Sequence, residues 1–391
     1  METKPTLIVM LSRFPYPLEK GDKLRAFHQL KGLSEKYAIH LMCTVENKIE
    51  PAHFEHVKAY CTSIHLFHLS KLGLAFQLFL SVFSKKPFQA LYFYRFTHQL
   101  KIARLIRDIR PDHIYCQLIR VSEYVKDYHY CNKTIDYMDA FSKGMERRVQ
   151  TESFFFRWFY RLESKRLALY ERSIFDYFEN HTIISDQDRS LLIHPNKQQV
   201  VVVPNGIDAS FFDKTTCAKD TDIVFTGNFS YAPNIDAAVI LATKILPALH
   251  QKGYKINLLL SGANPSAKVK ALANENIIIG GWVDDIRTSY QRSKLFVAPL
   301  FIGTGLQNKL LEAMASGLPC ISTPLVNQAL AAVDGESILL ANSPEAIVAK
   351  IEWVLEHPEL AAKIGENGKT YIQSTYSWTT QNELLSALLH P

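Results

Sequence analysis

The chain has 391 residues, enough for two domains of ordinary size, and its content of 47% hydrophobic and 21% charged residues excludes an intrinsically disordered protein. The net charge of +6 is mildly basic and suits anionic ligands or an anionic membrane surface, although many enzymes share it. The six cysteines form no C-x-x-C pair, and no apolar run resembles a signal peptide or reaches the roughly 18 residues of a spanning helix. We therefore expect a reduced cytoplasmic protein, soluble or attached to the inner face of the cytoplasmic membrane.

Residues 1–45 follow the order strand, loop, helix, strand. The runs TLIVMLS and AIHLMCTV are typical of buried strands, and DKLRAFHQLKGLSEK between them has helical periodicity. The order begins again at residue 221, with strands predicted at TDIVFTG, YKINLLLSG, NIIIGG, KLFVAPL and PCIST and helices between them. This alternation predicts an α/β fold with parallel, doubly wound sheets in both halves.

A turn with fixed chemistry separates the two halves. The strand-like run VVVV is followed by Pro204, Asn205 and Gly206. We place the boundary there, which gives a first domain at 1–203 and a second at 204–375. The terminal stretch YSWTTQNELLSALL predicts a helix within 376–391, capped by Ser377 or Thr379, that crosses back to the first domain.

Two segments of the first half are rich in aromatic residues. Residues 72–96 are apolar with few charges, and residues 147–175 combine aromatics with arginines. The basic and apolar stripes of the second segment are formed by Arg157, Arg161 and Lys165 and by Phe155, Phe159 and Leu162. Such a helix can lie on an anionic membrane. The alternative, which is commoner, is a long helix that packs on its own sheet and exposes a solvated basic face.

The stretch GTGLQNKLLEAMASGLP opens a helix with a glycine loop and places Lys309 in the first turn. A lysine there opposes the helix macrodipole at a cost of about 0.3–1 kcal/mol, which a bound anion would offset. Glu312 lies three residues on along the same face, and its carboxylate can accept hydrogen bonds from a diol such as ribose. With the flexible Gly303 and Gly305, this pattern predicts a nucleotide diphosphate site. The alternative is an ordinary Lys–Glu surface pair.

Other strand ends supply residues to the same kind of site. Gly227 and Asn228 follow the strand TDIVFT, and the glycines of NIIIGG come before Val283. Ligands of open α/β sheets bind at the carboxyl ends of strands. In the first half, Gly21 precedes the first helix and Arg25 lies one turn into it. A single glycine at such a turn often has only a structural role. The prediction therefore rests on the occurrence of these residues together at the strand ends of both halves.

These segments resemble a known family. PLFIGTGLQNKLLEAMASGLPCIST is similar to the donor-site signature of family 4 glycosyltransferases, and VVPNGID and FTGNFSYAPNIDA resemble two of its turns. FPYPLEKGDKLRAFHQLKGLSEKYAIHL resembles the first domain of sugar transferases from polysaccharide gene clusters. The resemblance covers nearly the whole chain. It implies a retaining hexosyltransferase with the GT-B fold, in which two Rossmann-like domains face a central cleft.

The resemblance also implies roles for matching residues. Glu312 binds the ribose, Lys309 neutralises the diphosphate, and the backbone near Val283 holds the base. The other donor-binding positions are Gly227, Asn228, Gly303, Thr304, Gly305, Leu306, Gln307 and Asn308. Thr304 stands where the family often has a glutamate that contacts the donor sugar, and an arginine–lysine pair common after the glycine turn is missing. Lys309 therefore carries more of the diphosphate charge.

The implied reaction uses a UDP- or GDP-sugar donor and a glycan or lipid-linked acceptor. It proceeds by front-face displacement without a cofactor or bound metal, and no nucleic acid is expected to bind. We expect Lys309 and helix N-termini to stabilise the leaving diphosphate. Gly21, Arg25, Arg120 and Asp139 are our candidates for positioning the acceptor, although Arg120 and Asp139 could equally belong to structural ion pairs.

Two other functions stay open at this point. Sugar-nucleotide 2-epimerases share the two-domain architecture, but they need acid–base groups around the sugar ring, and Thr304 fits that poorly. A non-catalytic protein would bind nucleotide and act as a scaffold in a polysaccharide assembly complex. Donor hydrolysis separates a transferase from a scaffold, and interconversion of free sugar nucleotides identifies an epimerase.

Overall fold

The computed structural model describes residues 4–70, 73, 77, 84–151, 154–213, 218–302 and 306–389. The predicted loop residues Gly303, Thr304 and Gly305 lie outside the described residues, as do most positions of 72–83. The placement of these three donor-loop residues therefore stays a prediction.

The chain divides into two compact units. The first comprises Met1–Asn205 together with Gln381–Pro391, and the second comprises Gly206–Thr380. The last helix, Trp378–Leu388, is capped by Ser377, whose Oγ accepts a hydrogen bond from the Thr380 backbone N–H at 3.1 Å.

The first unit is built on a parallel sheet whose described strands run in the order β3-β2-β1-β4-β5-β6-β7. The strands are β1 (Thr6–Leu11), β2 (Ala38–Val45), β3 (Ser63–His68), β4 (His113–Gln117), β5 (Asn132–Asp136), β6 (Asn180–Ile183) and β7 (Val201–Val202). The helices are α1 (Gly21–Leu33), α2 (Pro51–Lys58), α3 (Phe88–Phe93), α4 (Phe96–Ile109), α5 (Phe141–Thr151), α6 (Phe154–Phe175) and α7 (Asp186–Leu191). The order reverses between β1 and β4, which is the kind of position where open α/β sheets bind ligands.

Both faces of the central strand β1 are buried. Leu7 and Val9 join a core that includes residues of α1 and α2, whereas Ile8 and Met10 point to the opposite core, which includes residues of α4 and α6. A strand buried on both faces is apolar at successive positions instead of alternating with polar residues. This explains why the run TLIVML predicts its strand correctly.

The second unit repeats the design, with described strands in the order β10-β9-β8-β11-β12-β13, all parallel. The strands are β8 (Thr221–Thr226), β9 (Leu258–Ser261), β10 (Ile277–Gly281), β11 (Ser293–Ala298), β12 (Cys320–Ser322) and β13 (Leu339–Leu340). The helices are α8 (Ala232–Ile240), α9 (Leu246–Gln251), α10 (Ala267–Lys270), α11 (Arg287–Gln291), α12 (Asn308–Ala315), α13 (Pro324–Leu330), α14 (Pro344–Glu356) and α15 (Pro358–Tyr376). The order reverses between β8 and β11, and the predicted fold of two doubly wound, Rossmann-like sheets is confirmed.

A π-helical segment, Leu241–Ile245, joins α8 to α9 into one helical stretch, Ala232–Gln251. By length and a mean hydropathy of 1.3, this is the one described helix that could cross a membrane. However, Ala238, Leu241 and Ile245 lie in the core of the second unit. A helix that packs on a sheet passes the same test of length and composition, so core packing accounts for its apolar character.

Candidate active site

A cavity of about 350 Å³ opens at the carboxyl ends of the strands in the second unit. Its walls are the turns that follow β8, β9 and β10 and the beginning of α12. The lining residues are Thr226, Gly227, Gly262, Ala263, Trp282, Val283, Ile286, Lys309 and Glu312. The structure therefore brings four of the predicted donor-site residues, Gly227, Val283, Lys309 and Glu312, into one cavity.

Two glycine turns meet backbone to backbone in the wall of this cavity. Gly262 has a φ of +142°, and a Cβ added there would lie 2.0 Å from the carbonyl oxygen of Gly227. A Cβ on Gly227 would lie 2.8 Å from Nδ2 of Asn234. Side chains are therefore excluded at both turns, and a ligand can approach the main chain closely.

The Lys309 ammonium is held by neutral groups. Its Nζ donates to Oδ1 of Asn234 at 2.5 Å and lies 5.4 Å from the centre of the Phe225 ring. Asn234 is fixed in turn, since its Nδ2 donates to the carbonyl oxygen of Asn228 at 2.9 Å. Burial lowers the pKa of Lys309 to about 8, with the Glu312 charge opposing the shift. A cation that is desolvated in this way gains from an anionic ligand.

The Glu312 carboxylate is oriented by a buried tyrosine. The Tyr290 hydroxyl donates to Glu312 Oε2 at 2.8 Å and lies 2.7 Å from Thr226 Oγ1, so the threonine can donate to the tyrosine in turn. Burial raises the pKa of Glu312, and the Tyr290 hydrogen bond and the Lys309 charge oppose that shift. The carboxylate lines the cavity on the same helix as the lysine, as the spacing of the two residues predicts.

The remaining described residues of the predicted donor site shape the turns around the cavity. Gln307 is the N-cap residue of α12 and makes no side-chain capping hydrogen bond, and the exposed Asn308 is the first residue of the helix. Leu306 packs against the core of the unit. Asn228 Oδ1 accepts a hydrogen bond from the Ser230 backbone N–H at 3.0 Å and so closes the turn after β8. The helix N-terminus without a capping side chain is a favourable position for an anion.

The second unit matches a known protein family. Residues 220–357 match the family model "Glycosyl transferases group 1". The chain is 21% identical to the 44.6 kDa protein in the cps region of Klebsiella pneumoniae, over 95% of this chain and 96% of that protein. It is 27% identical to the capsular polysaccharide biosynthesis glycosyltransferase CapM of Staphylococcus aureus, over 32% of this chain and 35% of that one.

Solved structures share the whole fold. A glycosyltransferase from Rickettsia africae superposes with a TM-score of 0.67 at 13% identity, over 98% of each chain. The Anabaena protein HepE, in complex with UDP, superposes with a TM-score of 0.65 at 12% identity, over 98% of this chain and 99% of that one. The protein is a glycosyltransferase with the GT-B fold. Two of its relatives are described as a cps-region protein and a capsular polysaccharide biosynthesis enzyme, in line with the sequence resemblance.

One predicted acceptor residue of the glycosyltransferase is structural instead. The Arg25 side chain is 0% exposed, and its Nε donates to Asp136 Oδ2 at 2.6 Å. Its Nη1 donates to Asn205 Oδ1 at 3.1 Å, and the Tyr115 hydroxyl donates to the same Asp136 oxygen at 2.8 Å. The prediction that Arg25 contacts the acceptor is wrong, because a side chain this deeply buried is committed to the core of the first unit.

Three other predicted acceptor residues follow the ends of strands in the first sheet. Gly21 opens α1 after β1, Arg120 follows β4, and Asp139 follows β5. Gly21 and Asp139 are exposed, and a Cβ on Gly21 would meet nothing within 4 Å. Packing therefore does not require glycine at position 21. The structure brings these residues to the carboxyl edge of adjacent strands, and their contact with an acceptor stays a prediction.

Arg120 belongs to a compact group of charges. Its Nη1 lies 3.8 Å from Asp22 Oδ2, and Arg13 Nη1 pairs with the same oxygen at 2.7 Å. Its guanidinium carbon also lies 4.8 Å from the centre of the Phe141 ring. Burial and then the Arg13 charge lower the pKa of Arg120 to about 10, and Asp22 and Asp139 oppose the shift. Both alternatives of the sequence analysis, an acceptor contact and a structural ion pair, fit this geometry.

Among the residues of the cavity and its support that sequence reasoning missed are Asn234, Gly262, Trp282 and Tyr290. Asn234 accepts a hydrogen bond from Lys309, and Tyr290 donates one to Glu312. Both partners are distant in sequence from the charged residue, so no local sequence pattern predicts these contacts. Trp282, 69% exposed, offers an aromatic face at the cavity rim. The glycine in LLLSGAN, directly after a strand, was the signal that could have identified Gly262.

Proposed function

We propose that this glycosyltransferase moves a hexose-type sugar from a nucleoside diphosphate to a glycan or lipid-linked acceptor, in the cytoplasm. The observation that carries the proposal is the cavity in which Lys309 and Glu312 converge with the glycine turns of Gly227 and Gly262. A diphosphate requires positive charge and close backbone N–H groups, and a ribose requires a hydrogen-bond acceptor. The HepE structures, which contain UDP and UDP-glucose, support a uridine nucleotide as the first candidate.

The proposed binding mode assigns each group a task. The diphosphate lies against Lys309 and the N-terminus of α12, and the ribose hydroxyls donate to Glu312. Asn234 and Tyr290 act as positioning residues, because each holds one of those two charged groups in place. The base lies beside Val283 and Trp282, at the rim formed by the turn after β10.

The proposed transfer is a front-face displacement that retains the anomeric configuration. The acceptor oxygen bonds to the anomeric carbon while the bond from that carbon to the diphosphate oxygen breaks. The acceptor proton passes to the leaving diphosphate on the same face of the sugar. Lys309 and the α12 N-terminus stabilise the negative charge that develops on the leaving group. The proposed reaction does not depend on a bound metal ion.

The test is nucleotide release by the full-length protein from UDP- and GDP-linked hexoses. We expect release with one donor class, about 100-fold slower in Lys309→Ala, because groups that stabilise a developing charge contribute about that factor. Glu312→Gln should bind the donor roughly tenfold more weakly. Lys268→Ala, an exposed lysine of α10 outside the cavity, is the matched control and should change neither.

Other outcomes would contradict the proposal in identifiable ways. Donor binding without nucleotide release, even with candidate acceptors present, would support a scaffold. Conversion of one free sugar nucleotide into another would identify an epimerase. Full activity of Lys309→Ala would exclude the role given to the lysine.

A further inference from the structure

The outer face of α6 combines exposed apolar and basic side chains. Trp158 is 70% and Leu169 is 69% exposed. Arg161, Lys165 and Arg172 are exposed as well. At 3.6 residues per turn, these five residues fall within an arc of about 80° and extend over about 21 Å of the helix axis. We call them the α6 outer stripe. Of the apolar residues predicted beside it, Phe155 has a side chain outside the described part of the chain.

The two acidic residues of α6 point away from this stripe. Glu163 accepts hydrogen bonds from the backbone N–H groups of Phe88 at 2.8 Å and Gln89 at 3.0 Å. Glu171 accepts hydrogen bonds from the Ser142 hydroxyl at 2.6 Å and its backbone N–H at 3.0 Å. Both glutamates are buried. Their charges are used inside the first unit, so the helix presents only basic charge on its outer side.

The surroundings of the stripe extend its character. Glu146 of α5 shares a groove with Arg161 and Lys165, but its carboxylate pairs with Lys143 Nζ at 2.7 Å. At the other end, Arg172 lines a cavity of about 510 Å³. That cavity adds one further cation, Lys197, and the exposed apolar side chain of Ile193. The basic and apolar surface therefore continues beyond α6.

A second helix on the same side of the sheet has a similar outer face. The buried residues of α4 and α6 join the same core. On its outer side α4 exposes two large apolar side chains, Phe96 (66%) and Leu100 (57%). Arg104, one turn after Leu100, is also exposed. Exposed apolar residues on one helix can occur by chance, whereas their repetition beside basic residues on two helices of one core indicates a surface that meets a partner.

We propose that the α6 outer stripe docks the protein on an anionic lipid bilayer. Trp158 and Leu169 enter the headgroup region, and Arg161, Lys165 and Arg172 contact lipid phosphates. A lipid surface fits better than an acidic protein, because cations separate the tryptophan from the leucine along the stripe, so the two form no compact apolar centre. This proposal uses no residue of the nucleotide cavity and does not depend on the proposed reaction.

Co-sedimentation of the full-length protein with lipid vesicles tests the proposal. We expect binding to vesicles of phosphatidylcholine and phosphatidylglycerol in equal parts and little binding to phosphatidylcholine alone. Each basic residue at an anionic surface contributes about fivefold in affinity, so Arg161→Glu/Lys165→Glu should lose at least about 25-fold. Trp158→Ala should lose roughly tenfold. Lys268→Glu/Lys270→Glu makes the same change in net charge on α10 of the second unit and should bind as the unaltered protein does.

Three results would overturn the proposal. The first is no binding of the unaltered protein to the anionic vesicles. The second is an equal loss in the α10 control, which would indicate that net charge alone matters. The third is unchanged binding of Trp158→Ala, which would exclude entry of the stripe into the headgroup region. Circular dichroism of each variant shows whether the chain remains folded.

Discussion

The affinity for a nucleoside diphosphate should fall as the pH rises through about 8, because Lys309 loses its proton there. Burial lowers the pKa of this lysine to about 8. At pH 7 about nine-tenths of the lysine is then protonated, and at pH 9 about one-tenth. A ligand that binds only the ammonium form should therefore bind about tenfold more weakly at pH 9 than at pH 7. The bound diphosphate raises the lysine pKa, so binding above pH 8 takes up a proton.

Titration calorimetry with UDP and with GDP, in buffers of different ionisation enthalpy, measures both the affinity and the proton uptake. Lys309→Arg is the control, because a guanidinium stays charged across this range and ionisation of the ligand itself affects both proteins equally. The variant should show a flatter profile between pH 7 and 9. The reasoning is refuted if the unaltered protein shows no loss of affinity, or if Lys309→Arg loses as much.

Three further changes test the supports of the site and the fold. Tyr290→Phe should weaken nucleotide binding about tenfold with little change in fold, because the cavity carboxylate loses a buried hydrogen-bond donor; unchanged affinity by calorimetry would contradict this. Gly262→Ala should abolish nucleotide binding, because the added Cβ would lie 2.0 Å from a carbonyl oxygen. The control is Gly253→Ala, which also places an alanine at a positive φ (+93°) but would have no atom within 4 Å of its Cβ. This variant should retain nucleotide binding despite the backbone strain. Arg25→Met should lower the free energy of unfolding, measured in urea, by about 3–5 kcal/mol, because Asp136 stays buried without its partner. If the variant instead lost activity at unchanged stability, the arginine would have a direct role in the reaction.

The second unit could be predicted well because its signals are local. Its central strand β8 is a buried apolar run, and the glycine of TDIVFTG marks the turn where the ligand cavity begins. The helical spacing of Lys309 and Glu312 was enough to place both groups on one side of α12. The residues that hold them could not be found in this way, since Asn234 lies 75 positions from the lysine and Tyr290 lies 22 positions from the glutamate.

The first unit was less predictable because its strands β4 and β5 carry buried polar residues. His113 lies 2.9 Å from Thr134 Oγ1, and Lys133 donates to the Lys126 carbonyl oxygen at 2.6 Å. Such residues interrupt the apolar runs that identify strands in sequence, and only their tertiary partners make their burial favourable. The same effect explains the error at Arg25, whose position one turn into the first helix suggested a ligand contact while its side chain turns inward to Asp136.

The partners of Arg25 and Lys309 differ in charge. Arg25 meets a carboxylate at 2.6 Å, so the pair is electrically complete within the first unit. Lys309 meets the oxygen of a neutral amide at 2.5 Å, with its nearest carboxylate, Glu312, bound to Tyr290 instead. Burial of a cation beside neutral dipoles costs free energy that an ion pair would recover, and the lowered pKa of the lysine reflects that cost. A negatively charged ligand would offset that cost, so the desolvated lysine favours the binding of a diphosphate.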